Sequence, residues 1–137
     1  MYDPRVVDPM RKELTDIGFV EMRTASEVDE VLQKSTGTVL VVVNSVCGCA
    51  AGGARPGITL ALRNAKRPAL LTTVFAGQDR DATDRARSYF HGYPPSSPCV
   101  ALLKDGKIVH FVERHQIEGH SPQQISEQLT KAFNSYC

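Results

Sequence analysis

The sequence predicts an α/β fold, a three-layer α/β/α sandwich. Its mixed sheet has three parallel strands plus an antiparallel C-terminal hairpin, and an extra N-terminal helix precedes it. Three observations lead there. Residues 38–44 and 70–76 are continuous, β-branched apolar runs, the pattern of strands buried on both faces. Helical patterns separate the successive strand segments, which gives βαβ crossovers and hence parallel pairing. Asp105-Gly106 stands between two short apolar runs and suits a two-residue type I′ hairpin turn. At 137 residues the chain fits one domain, residues 1–137, long enough to bury a real core.

Each element carries its own signals. Asp8-Pro9 followed by Met10, Leu14, Ile17 and Gly18 predicts a short helix with Asp8 as cap, Pro9 at the first position and Gly18 as the left-handed stop. Phe19-Val20-Glu21-Met22 suits a first strand. Thr24-Ala25-Ser26-Glu27 is a capping box for a helix whose apolar face is Val28, Val31 and Leu32. After the buried strand 38–44, a helix is expected to run to about Ala65, kinked near residues 52–56 because Pro56 removes a hydrogen bond. Strand 70–76 turns through Gly77-Gln78-Asp79 into a helix carrying Ala82, Ala86, Tyr89 and Phe90, stopped by His91-Gly92. A proline-rich loop, residues 93–98, leads to the hairpin strands 99–103 and 108–112. Ser121-Pro122-Gln123-Gln124 then starts a last helix through Ile125, Leu129, Ala132 and Phe133. This order of elements is the thioredoxin-like arrangement.

Composition narrows the function. A formal net charge of +1 with 23% charged residues and no basic stripe argues against nucleic-acid binding. No apolar run reaches the ~18–20 residues that span a bilayer, and Met1-Tyr2-Asp3-Pro4-Arg5 lacks the apolar core of a secretory signal. A cytoplasmic location follows as the expectation. There, four cysteines are poor candidates for a disulfide framework and better ones for redox, catalytic or metal chemistry.

The chemistry concentrates at Ser45-Val46-Cys47-Gly48-Cys49-Ala50-Ala51-Gly52, between the buried strand and the following helix. A helix N-terminus presents unpaired N–H groups and about half a positive charge. That field lowers a thiol pKa from ~8.5 toward neutrality, and the thiolate is the nucleophile. Cys47 therefore reads as an activated nucleophile, against the alternative of an inert buried thiol. Cys49 is harder to place, because residues two apart on a helix point about 200° from each other. A Cys47–Cys49 bridge requires Cys47 to lie outside the first helical turn and Gly48 to absorb unusual backbone angles. A competing zinc site, Cys47 and Cys49 with Cys99 or a histidine, is disfavoured because structural zinc pairs are usually spaced by two to four residues. No metal is expected. Strand residues Val41, Val42 and Val43 include no acidic group to relay a proton.

The flanks of this motif resemble a known family. Asn44 through Gly52 with Ala54-Arg55-Pro56, residues 74–79, Ser96-Ser97-Pro98, Val100-Ala101-Leu102-Leu103 and residues 113–120 are similar to the bacilliredoxins, and the likeness extends over nearly the whole chain. The resemblance implies a thiol–disulfide oxidoreductase that removes bacillithiol from protein mixed disulfides, with Cys47 taking the small thiol onto itself. Bacillithiol is then a co-substrate, with no bound cofactor, and the partners are bacillithiolated client proteins. A disulfide isomerase or general reductase activity is the alternative, and a non-catalytic zinc module a more remote one. Cys49 either resolves the adduct on Cys47 or tunes Cys47 while an external thiol resolves it.

Substrate contacts are expected from Gly48, Arg55, Ser97 and Pro98. Thioredoxin-like folds place a cis-proline beside the nucleophile, and Ser97-Pro98 fits that position. Arg55 either holds the anionic thiol or forms a surface ion pair. Arg114, His115, Glu118 and His120 fall on the same side of the fold by topology. Cys99 reads as a small buried strand residue, against the alternative that it approaches Cys47. Cys137 ends a helix that runs about 20 Å away from the motif.

Overall fold

The computed structural model describes residues 1–137. Twelve-residue helix α1 (Pro4–Thr15) precedes strand β1 (Val20–Glu21), helix α2 (Ala25–Lys34) and strand β2 (Thr38–Asn44). A π-helical turn (Ala50–Ala54) runs directly into α3 (Arg55–Ala61). Then come β3 (Leu70–Phe75), α4 (Arg80–Arg87), β4 (Cys99–Lys104), β5 (Lys107–Val112), the single turn α5 (Arg114–Ile117) and α6 (Pro122–Tyr136). The sheet order is β1-β3-β2-β4-β5. β3 pairs in parallel with β1 and β2, while β4 runs antiparallel to both β2 and β5. The three-layer sandwich and its mixed sheet are as the sequence predicts. No helix is long and apolar enough to cross a membrane.

β2 is buried along its whole length, and its alternation divides the core. Leu40 and Val42 face Leu14, Ile58, Ala61, Ile125, Leu129 and Phe133, contributed by α1, α3 and α6. Val39, Val41 and Val43 face Val28, Leu32, Ala82 and Ala86, contributed by α2 and α4. The period-two geometry of a strand thus builds a core on each side of the sheet. The hairpin turn is formed by Asp105 and Gly106, both with positive φ (51° and 81°), as a type I′ turn requires. Ser121 caps α6 by accepting from the Gln124 amide at 3.2 Å.

Three local expectations change. Helix α1 begins five residues earlier than Asp8-Pro9 suggests, capped by Asp3, whose Oδ1 accepts from the Arg5 amide at 2.9 Å. Asp3-Pro4 is the same start signal, and beginning there buries Val7 completely; Pro9 is carried inside the helix. The helix after the cysteines stops at Ala61 rather than Ala65. Pro56 lies not inside a continuous helix but in the first turn of α3, directly after the π-helical turn, where its missing N–H costs little. Gly57 in α3 allows close approach of α6: a Cβ there would stand 2.8 Å from Ile125 Cγ2.

Candidate active site

β2 delivers its last residue, Asn44, to the end of the sheet, and the chain then leaves through Ser45-Val46 into Cys47. Asn44 is 2% exposed and every polar atom of its side chain is used. Its Nδ2 donates to the Met10 carbonyl of α1 at 3.2 Å, and its Oδ1 accepts from the Ser45 amide and from Arg55 Nη1, both at 2.9 Å. The same Arg55 nitrogen donates to the Ser45 carbonyl at 2.9 Å. Ser45 Oγ in turn accepts from the Cys47 amide at 3.2 Å. The turn that carries Cys47 is therefore tied to β2, α1 and α3 at once.

Arg55 is neither a surface ion pair nor, in this structure, open to solvent. It is 2% exposed, behind the turn. Its Nε lies 3.1 Å from Glu13 Oε2 without hydrogen-bond alignment, so this contact is one of charge rather than of a directed bond. The same two residues border a groove of about 510 Å³ between α1, α3 and the start of α6.

Cys47 precedes the helix. Its carbonyl accepts from the Ala50 and Ala51 amides at 3.0 and 3.2 Å, while the amides of Gly48 and Cys49 donate to no protein acceptor. Those free donors and the helix dipole favour negative charge on the sulfur next to them. Cys49 packs against the core on the α1–α3–α6 side. The two cysteines are joined in a disulfide with Cα atoms 5.5 Å apart. Cys47 does lie outside the helix, as bridging requires. Gly48, however, is not in the left-handed region, and a Cβ there would meet nothing within 4 Å. Stepping Cys47 out of the helix suffices to bring the sulfurs together, with no help from special glycine angles.

The loop before β4 reaches the same end of the sheet. The Ser97-Pro98 peptide is cis, as the fold leads one to expect. Val43–Cys99 is the last pair of the β2–β4 ladder, so the cis peptide lies just before β4, at the end of β2 from which the chain runs to Cys47. Beyond this loop lies the start of α5. Arg114 Nη1 donates to the Ser97 carbonyl at 3.2 Å, and Arg114 Nε lies 3.3 Å from Glu118 Oε2. His115 Nδ1 lies 3.1 Å from Glu113 Oε2, and His120 Nδ1 lies 3.1 Å from the Glu118 carbonyl, both rings pointing outward.

The other two thiols sit elsewhere in the chemistry. Cys99 is 1% exposed, and burial pushes its thiol up to about 12, against the smaller opposing influence of Arg87. Cys137 is exposed at the end of α6, which runs about 22 Å from its start. No group of three or more His, Cys, Asp or Glu side chains is placed to hold a metal ion.

Sequence reasoning placed Asn44 in the motif without a role for its side chain, and missed Glu13. The one available signal was Asn44, a polar residue closing an otherwise apolar buried run, which must find partners for its amide.

Comparison with known proteins agrees with this geometry. Residues 2–137 match the family described as disulphide isomerase. A bacilliredoxin of Koribacter versatilis is 55% identical over 137 residues, covering 100% of this chain and 94% of the relative. A bacilliredoxin of Halalkalibacterium halodurans is 58% identical over 132 residues, covering 96% and 90%, and one of Staphylococcus aureus is 53% identical over 137 residues, covering 100% and 94%. Among solved structures, a reduced Schistosoma mansoni thioredoxin pre-protein superposes with a TM-score of 0.55 at 18% identity, covering 84% of this chain and 97% of that one. The last likeness speaks to fold alone.

Proposed function

This chain belongs to the bacilliredoxin family and is a thiol–disulfide oxidoreductase, and from that premise we propose that it removes bacillithiol from protein mixed disulfides with Cys47 as the nucleophile. The observation that carries the assignment is the unequal placement of the two sulfurs. Cys47 stands at the helix N-terminus beside free amide donors, and Cys49 rests against the core.

The Cys47 thiolate attacks the bacillithiol sulfur of the mixed disulfide. A Cys47–bacillithiol bond forms, and the client cysteine leaves as a thiolate that takes up a proton. The Cys49 thiolate can then attack Cys47, releasing bacillithiol and leaving the intramolecular bridge for an external thiol to reduce. Exposed Gly48 leaves the sulfur pair accessible, and Ser97 and cis Pro98, at the same end of the sheet, form the surface on which the substrate rests. Arg55 serves by holding the Asn44–Ser45 turn. The site is taken to work in the cytoplasm on bacillithiolated clients.

The experiment is intact mass spectrometry of variants incubated with a bacillithiolated protein. Cys49→Ala should accumulate a bacillithiol adduct, and Cys47→Ala should accumulate none. An adduct on Cys47→Ala overturns the assignment. The reach of Cys49 to Cys47 also supports a second reading, dithiol reduction or isomerisation of ordinary protein disulfides. That reading holds instead if wild type rearranges scrambled disulfides while Cys49→Ala takes up no bacillithiol.

A further inference from the structure

Two main-chain carbonyls of the loop before Pro98 already accept from arginine side chains. The β2–β4 pairing ends at Val43 and Cys99, and Ser97 lies two residues before Cys99, at the end of the sheet from which the chain runs on to Cys47. The Ser97 carbonyl accepts from Arg114 Nη1 at 3.2 Å, and the Ser96 carbonyl accepts from Arg87 Nη2 at 3.3 Å. Ser96 Oγ accepts from the Arg114 amide at 3.4 Å. The Ser97 amide, in contrast, donates to no acceptor in the protein.

A peptide that docks as an added strand needs an acceptor for its N–H as well as a donor for its carbonyl. This loop offers a free donor and a guanidinium, while the Ser96 and Ser97 carbonyls each already hold one arginine bond. Arg114 is tethered on its other side only by the exposed Glu118 carboxylate, 61% exposed, a surface pair of small energetic weight. Its charge therefore remains available to a ligand.

We propose that Arg114 is a specificity-determining residue that decides which sulfur of a mixed disulfide Cys47 attacks. The inference rests on Cys47 being the nucleophile. A small acceptor-rich thiol uses the free Ser97 amide and the Arg114 guanidinium better than a polypeptide strand does, so the small-thiol half lies beside Pro98. The Cys47 thiolate attacks that sulfur, the Cys47–small thiol bond forms, the original disulfide breaks, and the protein cysteine leaves toward solvent as a thiolate. With the protein half against this loop, the same attack would produce a Cys47–protein disulfide and free the small thiol.

The test uses full-length Cys49→Ala protein, which traps the first adduct, with Arg114 intact or changed to Ala or Lys. The substrate is a peptide whose cysteine is disulfide-bonded to mercaptosuccinate, a small dicarboxylate thiol, and intact mass spectrometry counts the two Cys47 adducts. With Arg114 present the mercaptosuccinate adduct should exceed the peptide adduct about tenfold, the size of one charge-assisted hydrogen bond. Arg114→Ala should bring the two within about twofold, and Arg114→Lys should fall between. A purely structural role for Arg114 would lower both adducts together and leave their ratio unchanged. A ratio near parity with Arg114 present, or one unmoved by Arg114→Ala, overturns the proposal alone. Absence of either adduct from every variant overturns the role of Cys47 and the proposal with it.

Discussion

Cys47 and Cys99 lie at the same end of adjacent strands, yet the fold treats them oppositely. Cys47 is three residues beyond the end of β2, half-buried, in front of a helix with two free amides. Cys99 opens β4, paired with Val43 and sealed between the sheet and the α2–α4 layer. A few residues of displacement along a strand exchange a field that favours charge for a medium that forbids it. Sequence neighbourhood alone does not make a thiol reactive. The position of the helix N-terminus relative to the edge of the core decides it.

Alkylation is the sharpest way to break this contrast. In reduced Cys137→Ser protein at pH 7, iodoacetamide should modify Cys47 about a thousandfold or more faster than Cys99, because Cys99 is reached only through large-scale opening. Comparable rates, read by peptide mapping, would show that the core around Cys99 is not closed. Next in size is the foundation of the Cys47 turn. Arg55→Ala should cost about 1–3 kcal/mol in denaturant unfolding, since it strands the buried Ser45 carbonyl and removes one of the two donors to Asn44 Oδ1. Glu13→Gln should cost less than about 1 kcal/mol, because that carboxylate is 48% exposed. Equal losses would assign the work to the ion pair rather than to the hydrogen bonds.

A pH-dependent effect belongs to Cys99 itself. Its thiol is raised from 9.0 to about 12, so between those values the folded state keeps a proton that the unfolded chain releases. The stabilisation is present in full below pH 9 and declines as pH rises toward 12, by about 1 kcal/mol between pH 9 and 10. Cys99→Ala should flatten that alkaline slope in thermal melts.

Much of this architecture can be read from the chain because its signals are local. The valine run of β2, the Asp105-Gly106 turn and the Ser121 capping box each specify geometry within a few residues. Elements that depend on distant partners are less legible. Asp3-Pro4 and Asp8-Pro9 carry the same start signal, and only the burial of Val7 chooses between them. α5 is a four-residue turn, too short to show a helical period. Arg55 reads as a surface residue until α1 arrives from the N-terminus to cover it. The cysteine pair was visible as a motif, and the helix boundary at Cys47 was visible with it. The glycine between them invited a conformational explanation that the backbone does not need.

Through Met10 and Glu13, α1 holds the underside of the turn that presents Cys47. The helix that looks like an addition to the fold is therefore mechanically continuous with the reactive loop. Any excursion that lifts α1 also frees the Asn44 amide and uncovers the guanidinium beneath it, so the two segments open as one cooperative unit. The bonded amides of Ser45 and Cys47 are then governed by the lifetime of a helix that begins some forty residues earlier.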